Sequence, residues 1–218
     1  QDQSMNHKHL GVVAVCVQLA GCALVSRGET LQVRYFTLDV PRGASSAPAA
    51  RTDLELRLGR VDATGALGEQ LAVRTGQNEL TYREDQRWTE RPAQYVRRGL
   101  ERALFEERGL TRAYSGTAPT LDVELVELET DHSRAPSARV RLIARLHDER
   151  RGLCNETFAA AEPIATQAEG ENVEASVAGL SIALSRSLEQ LAGRVMQCLT
   201  SREPQPGADE SAHASRTE

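Results

Sequence analysis

Lysine is almost missing from this chain: Lys8 is the only one among 26 basic residues, and the others are arginine. That argues against a Schiff-base or other catalytic lysine. Aromatic residues make up only 4 % of the 218 residues, with a single tryptophan, so a core must be built chiefly from Leu, Val and Ala. Four cysteines do not make a disulfide-dense miniature scaffold, and a chain of this length needs none. No apolar run reaches the roughly 18 to 20 residues of a spanning helix, which excludes a multi-pass membrane protein. Positive charge is not in excess either. With 26 basic against 31 acidic residues the formal net charge is −5, which argues against a general affinity for nucleic acid phosphates.

Motifs that carry chemistry are equally scarce. His7 and His9 sit close to the N-terminus and His213 close to the C-terminus, which leaves His132 and His147. No spacing resembles a zinc site of the CxxC or HExxH kind. There is no GxSxG elbow, no Walker loop and no GxGxxG fingerprint, and no internal repeat suggests a solenoid. No metal or cofactor is therefore expected, and an enzyme is not. What is present, 40 % apolar residues, suits one soluble domain with tails.

The N-terminus reads as an address and an anchor. Met5-Asn6-His7-Lys8-His9 precedes an apolar run from Leu10 to Val17, the order of a secretory n-region and h-region. Met5 is taken as the start, which makes residues 1–4 an upstream extension and residues 5–21 a signal peptide. The run closes on Leu19-Ala20-Gly21-Cys22, which resembles a bacterial lipobox, so Cys22 is the expected lipidation site. The other reading is a short buried helix or an uncleaved signal anchor, and Gln18 inside the run weakens the spanning version. Several acyl chains on one cysteine would hold almost permanently, where one alone is marginal. Ala23 follows the cysteine, and the resemblance to lipoproteins of two-membrane bacteria implies sorting to the outer membrane, with the domain facing the periplasm. Residues 22–30 then form the lipidated cysteine and a tether. The eight residues Ala23 to Thr30 reach at most about 28 Å at roughly 3.5 Å per residue.

Residues 31–200 carry the pattern of a fold. Leu31 to Leu38 reads as a strand and Pro41 to Ala50 as a loop. Leu54, Leu56 and Leu58 alternate with Glu55 and Arg57, the period of a half-buried strand. Leu71–Thr75 and Glu79–Arg83 flank Gly76-Gln77-Asn78 as a hairpin. Thr89 or Glu90 opens a helix with Pro92 in its first turn. Val96, Leu100, Ala103 and Leu104 form its apolar stripe, and Gly109 stops it. Leu121, Val123 and Leu125 alternate with acids; Val140, Leu142, Ala144 and Leu146 alternate with Arg139, Arg141 and Arg145. A hairpin pairing 122 with 145 and 126 with 141 would gather the aliphatics on one face and cross-strand ion pairs on the other, each contributing roughly 0.2 to 1 kcal/mol. That explains the arginine cluster better than a nucleic-acid or lipid-headgroup patch does. A further strand spans Leu153 to Ala160. The best helix in the chain carries Val173, Val177, Leu180, Leu184, Leu188, Leu191, Val195 and Cys198 at spacings of three and four. Packing on the sheet is preferred for it over a coiled-coil seam. Residues 201–218 hold no aromatic or large aliphatic residue and read as a disordered tail. The class is therefore α/β (α+β): a single domain with a mainly antiparallel sheet, one helix after the first hairpins and a long C-terminal amphipathic helix packed on the sheet.

Cys154 and Cys198 are the only thiols in the expected folded part, 44 positions apart. Bridged, they would contribute about 4 kcal/mol in the chain-entropy picture. Two separate buried thiols remain the alternative. A Cys154/His147 nucleophile pair has no orienting group or oxyanion site near it in sequence.

One stretch is more distinctive: Arg74-Thr75-Gly76-Gln77-Asn78-Glu79-Leu80-Thr81-Tyr82, then Arg87-Trp88-Thr89-Glu90-Arg91-Pro92, then the helix ending near Leu104. It resembles the ABC-type transport auxiliary lipoproteins, in which an early Tyr-x-Leu strand (here Tyr35-Phe36-Thr37-Leu38) precedes an Asn-x-Leu-x-Tyr-like strand, an Arg-Trp-acidic-x-Pro-like turn and a helix. The turn here is one residue longer than the commonest form. The resemblance implies a lipid-anchored, non-enzymatic accessory on the inner leaflet of the outer membrane. It would work with an MCE-domain protein and an inner-membrane ABC transporter that move lipids or other hydrophobic molecules, and it is a candidate homo-oligomer. The alternative is a lipoprotein that assembles or stabilises another envelope complex, of the lipopolysaccharide-export or Tol-like kind. Trp88 and Arg87 are the candidate partner contacts. The competing reading packs Trp88 over the sheet edge to set the turn, with Arg87 stacked on it or paired with Glu90.

Overall fold

A computed structural model describes residues 31–40, 50–165 and 172–201. The expected extension, signal peptide, Cys22 lipidation site and tether, the loop at 41–49 and the tail beyond Ser201 lie outside the described residues. The chain divides into two units at Val33/Arg34, and the fold belongs to the second. The expected first strand contracts to β1 (Arg34–Phe36).

The sheet is organised by one long hairpin. β6 (Thr120–Asp131) and β7 (Ser137–His147) pair antiparallel from Thr120↔His147 to Asp131↔Ser137, and β8 (Gly152–Pro163) lies antiparallel on the far side of β7. The other edge of β6 is shared end to end. β2 (Glu55–Ala63) runs parallel along its first half, from Arg57↔Thr120 to Ala63↔Leu125. β3 (Gln70–Gly76) runs parallel along its end, from Ala72↔Glu129 to Arg74↔Asp131. Outside β3 comes antiparallel β4 (Glu79–Trp88) and then parallel β1, while β5 (Thr111–Arg112) adds to β2. Most paired residues of this eight-stranded sheet are thus antiparallel, as expected, and the parallel contacts are short.

The register of the central hairpin departs from the expected one at a single point. Asp122 does face Arg145, but 126 does not face 141: a bulge between Leu125 and Glu127 sets Glu127 opposite Arg141. The reason is side-chain parity. In an unbroken ladder Leu128 would fall on the face of Glu124. One extra residue returns Leu128 to the buried face opposite Val140 and sends Glu127, Glu129 and Asp131 to the other side.

Both helices cover the face that holds Leu121, Val123, Leu125, Leu128 and their partners. α1 (Pro92–Glu101) packs on β2 and β6, with Tyr95, Val96, Gly99 and Leu100 buried. The chain then widens into a π turn (Arg102–Glu106) that buries Ala103 and Leu104, and Gly109, at φ 68°, ends it. α2 (Val173–Thr200) starts at Asn172, whose side chain accepts the Ala175 N–H at 3.0 Å, and lies over β7 and β8. All the expected stripe residues of α2 are buried except Val177, which is half-buried. The two-layer packing takes up the apolar seam that would otherwise have suited a coiled coil.

β2 has its own irregularity between Leu58 and Val61, and Asp122 locks it. The Arg60 N–H donates to Asp122 Oδ1 at 2.7 Å, and the Gly59 carbonyl accepts from Arg97 of α1 at 3.0 Å. A Cβ on Gly59 would occupy the place of the Asp122 carboxylate and lie 2.7 Å from Thr120 Cγ2. Gly59→Ala should therefore destabilise the fold by about 1–3 kcal/mol in urea titrations. Asp122→Ala should cost a similar amount, and the double variant should cost less than the sum, because both remove the same lock. Additive losses would show that the two positions are independent.

Candidate docking surface

The sheet face turned away from the helices is a lattice of ion pairs. Glu127 pairs with Arg141 at 3.0 Å, Asp131 with Arg139 at 2.8 Å and Glu124 with Arg145 at 3.5 Å, while Asp122 Oδ2 lies 3.2 Å from His147 Nε2. Glu129 is the deepest of the acids, 2 % exposed, and is held by both Nε and Nη2 of Arg74, at 2.5 and 2.9 Å. The hydrogen bond from Arg74 to Glu129 raises the arginine pKa further. A charge buried this far is tolerated only with such a two-point partner. The arginines of this face are thus engaged by cross-strand acids, which is the reason a nucleic-acid patch was not expected.

The Asp131 carboxylate is the most strongly perturbed group on the surface. It accepts from the Ser133 hydroxyl at 2.6 Å and the Ser133 N–H at 2.9 Å, and with Arg139 added its pKa falls from 3.8 to about 2. His132 beside it is pushed down by burial and by Arg83, so it favours the neutral imidazole.

The structure places the sequence-derived residues as follows. Trp88 is 3 % exposed and points into the core, edge-on to Tyr95 with centroids 6.2 Å apart, while the Tyr95 hydroxyl lies 2.8 Å from Thr89 Oγ1. The indole is thus buried at the turn into α1, which fits the reading that packs it over the sheet edge to set the turn. Arg87 stays at the surface, 3.7 Å from Glu69 and across from the exposed Tyr35. Glu90 is paired with Arg98 instead. Cys154, near the start of β8, and Cys198, in the last turns of α2, are bridged, with Cα atoms 6.5 Å apart. The bridge leaves no thiol for a Cys154/His147 pair.

An open groove of about 990 Å³ lies at the end of the sheet where β2 and β6 begin, lined by Asp53, Glu55, Pro119, Glu149, Arg151 and Leu199 among others. Its lining carries charges of both signs. Among the described residues, no group of three or more His, Cys, Asp or Glu is placed to hold a metal ion, and no helix is long and apolar enough to cross a membrane. The Asp122–Gly59–Arg97 lock and the buried Arg74–Glu129 pair were not anticipated. The only hint of the first was a glycine inside the alternation of β2.

The domain is a two-layer α/β fold with an ion-paired open sheet face and a groove at one end of the sheet. The chain belongs to the ABC-type transport auxiliary lipoprotein component family, whose model matches residues 36–192. A crystal structure of a Xanthomonas campestris protein of family DUF330 superposes with a TM-score of 0.64 at 19 % identity, covering 77 % of this chain and 98 % of that one. A second crystal structure, of an uncharacterised protein, gives 0.55 at 13 % identity, covering 75 % and 99 %. These likenesses show the fold. No curated protein matches the chain.

Two measurements follow from this surface. Because folded Asp131 binds its proton less tightly than the unfolded chain does, its stabilisation is complete above about pH 4 and is lost as the pH falls towards 2. Asp131→Asn should flatten that limb of the acid-unfolding curve; an unchanged limb would remove Asp131 as its source. Replacing Cys154 and Cys198 together by Ala should lower unfolding stability by about 2–4 kcal/mol, and reduction of the parent protein should reproduce that loss. Equal stability of oxidised and reduced parent would contradict it.

Proposed function

We propose that this protein is the lipid-anchored accessory of an ABC transport system that moves lipids or other hydrophobic molecules between the membranes of a two-membrane envelope. It would be held by Cys22 to the inner leaflet of the outer membrane and would dock an MCE-domain partner that spans the periplasm. The observation that carries the reading is the family match over residues 36–192, preceded in the same chain by Leu19-Ala20-Gly21-Cys22. The family is one of transport auxiliary lipoproteins, not a class of enzymes, and docking needs surface more than a pocket. The ion-paired sheet face, with half-buried Arg87 and exposed Tyr35 at its far margin, offers a polar surface of the kind found in non-obligate assemblies.

The test is crosslinking in the native cell followed by mass spectrometry of proteins that co-purify with the full-length chain and with Cys22→Ser. An MCE-domain protein and an ABC component enriched only with Cys22 intact is the expected result. If Cys22 carries lipid but neither component appears, the envelope-assembly reading takes its place.

A further inference from the structure

The chain enters the domain at Arg34, the first residue of β1, whose guanidinium pairs at 2.5 Å with Glu174 in the first turn of α2. The open groove, lined in part by Leu199, lies at the other end of that helix. From Glu174 to Leu199 the helix rises about 37 Å at 1.5 Å per residue. The chain from Cys22 to Arg34 reaches about 42 Å when fully drawn out. Turning the groove toward an anchored Cys22 would therefore stretch the tether along the whole domain. A relaxed tether leaves the groove facing away from the membrane.

The groove is also where the chain leaves its charges unmet. On the sheet face Glu124, Glu127, Glu129 and Asp131 each hold an arginine. Around the groove, Asp53 and Glu55 at the leading end of β2, and Glu149, Arg150 and Arg151 in the turn between β7 and β8, are exposed, and their side chains form no ion pair or hydrogen bond among the described residues. β6 and β7 separate the two sets, which puts them about 10–15 Å apart at roughly 4.8 Å per strand. Leu54, Pro119 and Leu199 supply the apolar part of the lining. Tyr114, three residues before Thr117 of the groove, is 84 % exposed, more than any other large hydrophobic residue described. Arg57 donates to the Gly116 carbonyl at 2.5 Å and so ties this segment to β2.

We propose that this groove is where the periplasm-spanning partner docks, through a segment that brings a basic residue to Asp53 and Glu55, an acidic one to Arg150 and Arg151, and an apolar side chain between them. The inference rests on the transport reading above and adds the site of contact. Unpaired charges on either side of an apolar depression steer the approach of a segment and fix its direction, while the apolar contact supplies affinity. The sheet face lacks the first of these, because an incoming charge there must displace an arginine or a carboxylate from its own partner.

The test is photo-crosslinking in the native cell from benzoylphenylalanine placed in the full chain, one position at a time, with products identified by mass spectrometry. The positions are Tyr114 and Thr117 at the groove, Arg145 on the sheet face and Gln77 at the tip of the β3–β4 hairpin, all four exposed. The MCE-domain protein should be joined from Tyr114 and Thr117 and not from Arg145 or Gln77. Asp53→Lys combined with Glu55→Lys should cut the Thr117 product at least about tenfold while leaving the melting temperature unchanged, since neither carboxylate has a partner in the fold. An MCE-domain product from Arg145 or Gln77 alone, or a Thr117 product that survives the double replacement, would overturn the groove as the site and leave the transport reading standing. No MCE-domain product from any of the four positions would overturn both.

Discussion

β6 must satisfy three neighbours at once, and the rest of the sheet is arranged around how it does so. Along one edge it holds the whole of β7; along the other it holds β2 and then β3, both parallel to it. A strand with apolar residues at 121, 123 and 125 and again at 128 cannot keep all four on one face without an extra residue. The bulge at Leu125–Glu127 supplies it, between the last β2 pair at Leu125 and the first β3 pair at Glu129. The changeover between the two neighbours and the change of side-chain parity therefore fall within the same few residues. Beyond it the acids of β6 come within reach of Arg74, Arg139 and Arg141.

That arrangement explains why the charges of the open face contribute to specificity as much as to stability. An exposed cross-strand pair is worth little, but Glu129 is buried with Arg74 on it, and a slip of β3 against β6 by one residue would strand a carboxylate in a site from which water is excluded. The same logic holds at Asp122, whose carboxylate fills the space a side chain at Gly59 would take and accepts the N–H that the irregularity of β2 leaves free.

Elements with a local signature were legible. The spacing along α2, the alternation of β6 and β7 up to Leu125, Pro92 at the start of α1 and Gly109 at its end each carry their cause within a few residues. The bulge was written in Leu125-Val126-Glu127-Leu128, where period two breaks, but reading it needs the partner strand. The parallel pairings of β2 and β3 with β6 join residues far apart in sequence, and the two-residue β5 exists only because Leu54 and Leu56 are already placed, so neither left a local mark. Trp88 was recognised as the distinctive residue of its turn. Which way it points is decided by Tyr95 and the packing beneath, not by its neighbours in the chain. The spacing of Cys154 and Cys198 said nothing of their distance, since it is α2 folding back over β8 that brings them together.

The bridge also introduces an order of events. While Cys154 and Cys198 are reduced, the last turns of α2 are held to β8 by packing and by the Arg194–Glu156 ion pair. The covalent tie can form only where an oxidant is at hand. The final increment of stability is thereby set by the redox state of the surroundings, while the packing beneath it is not.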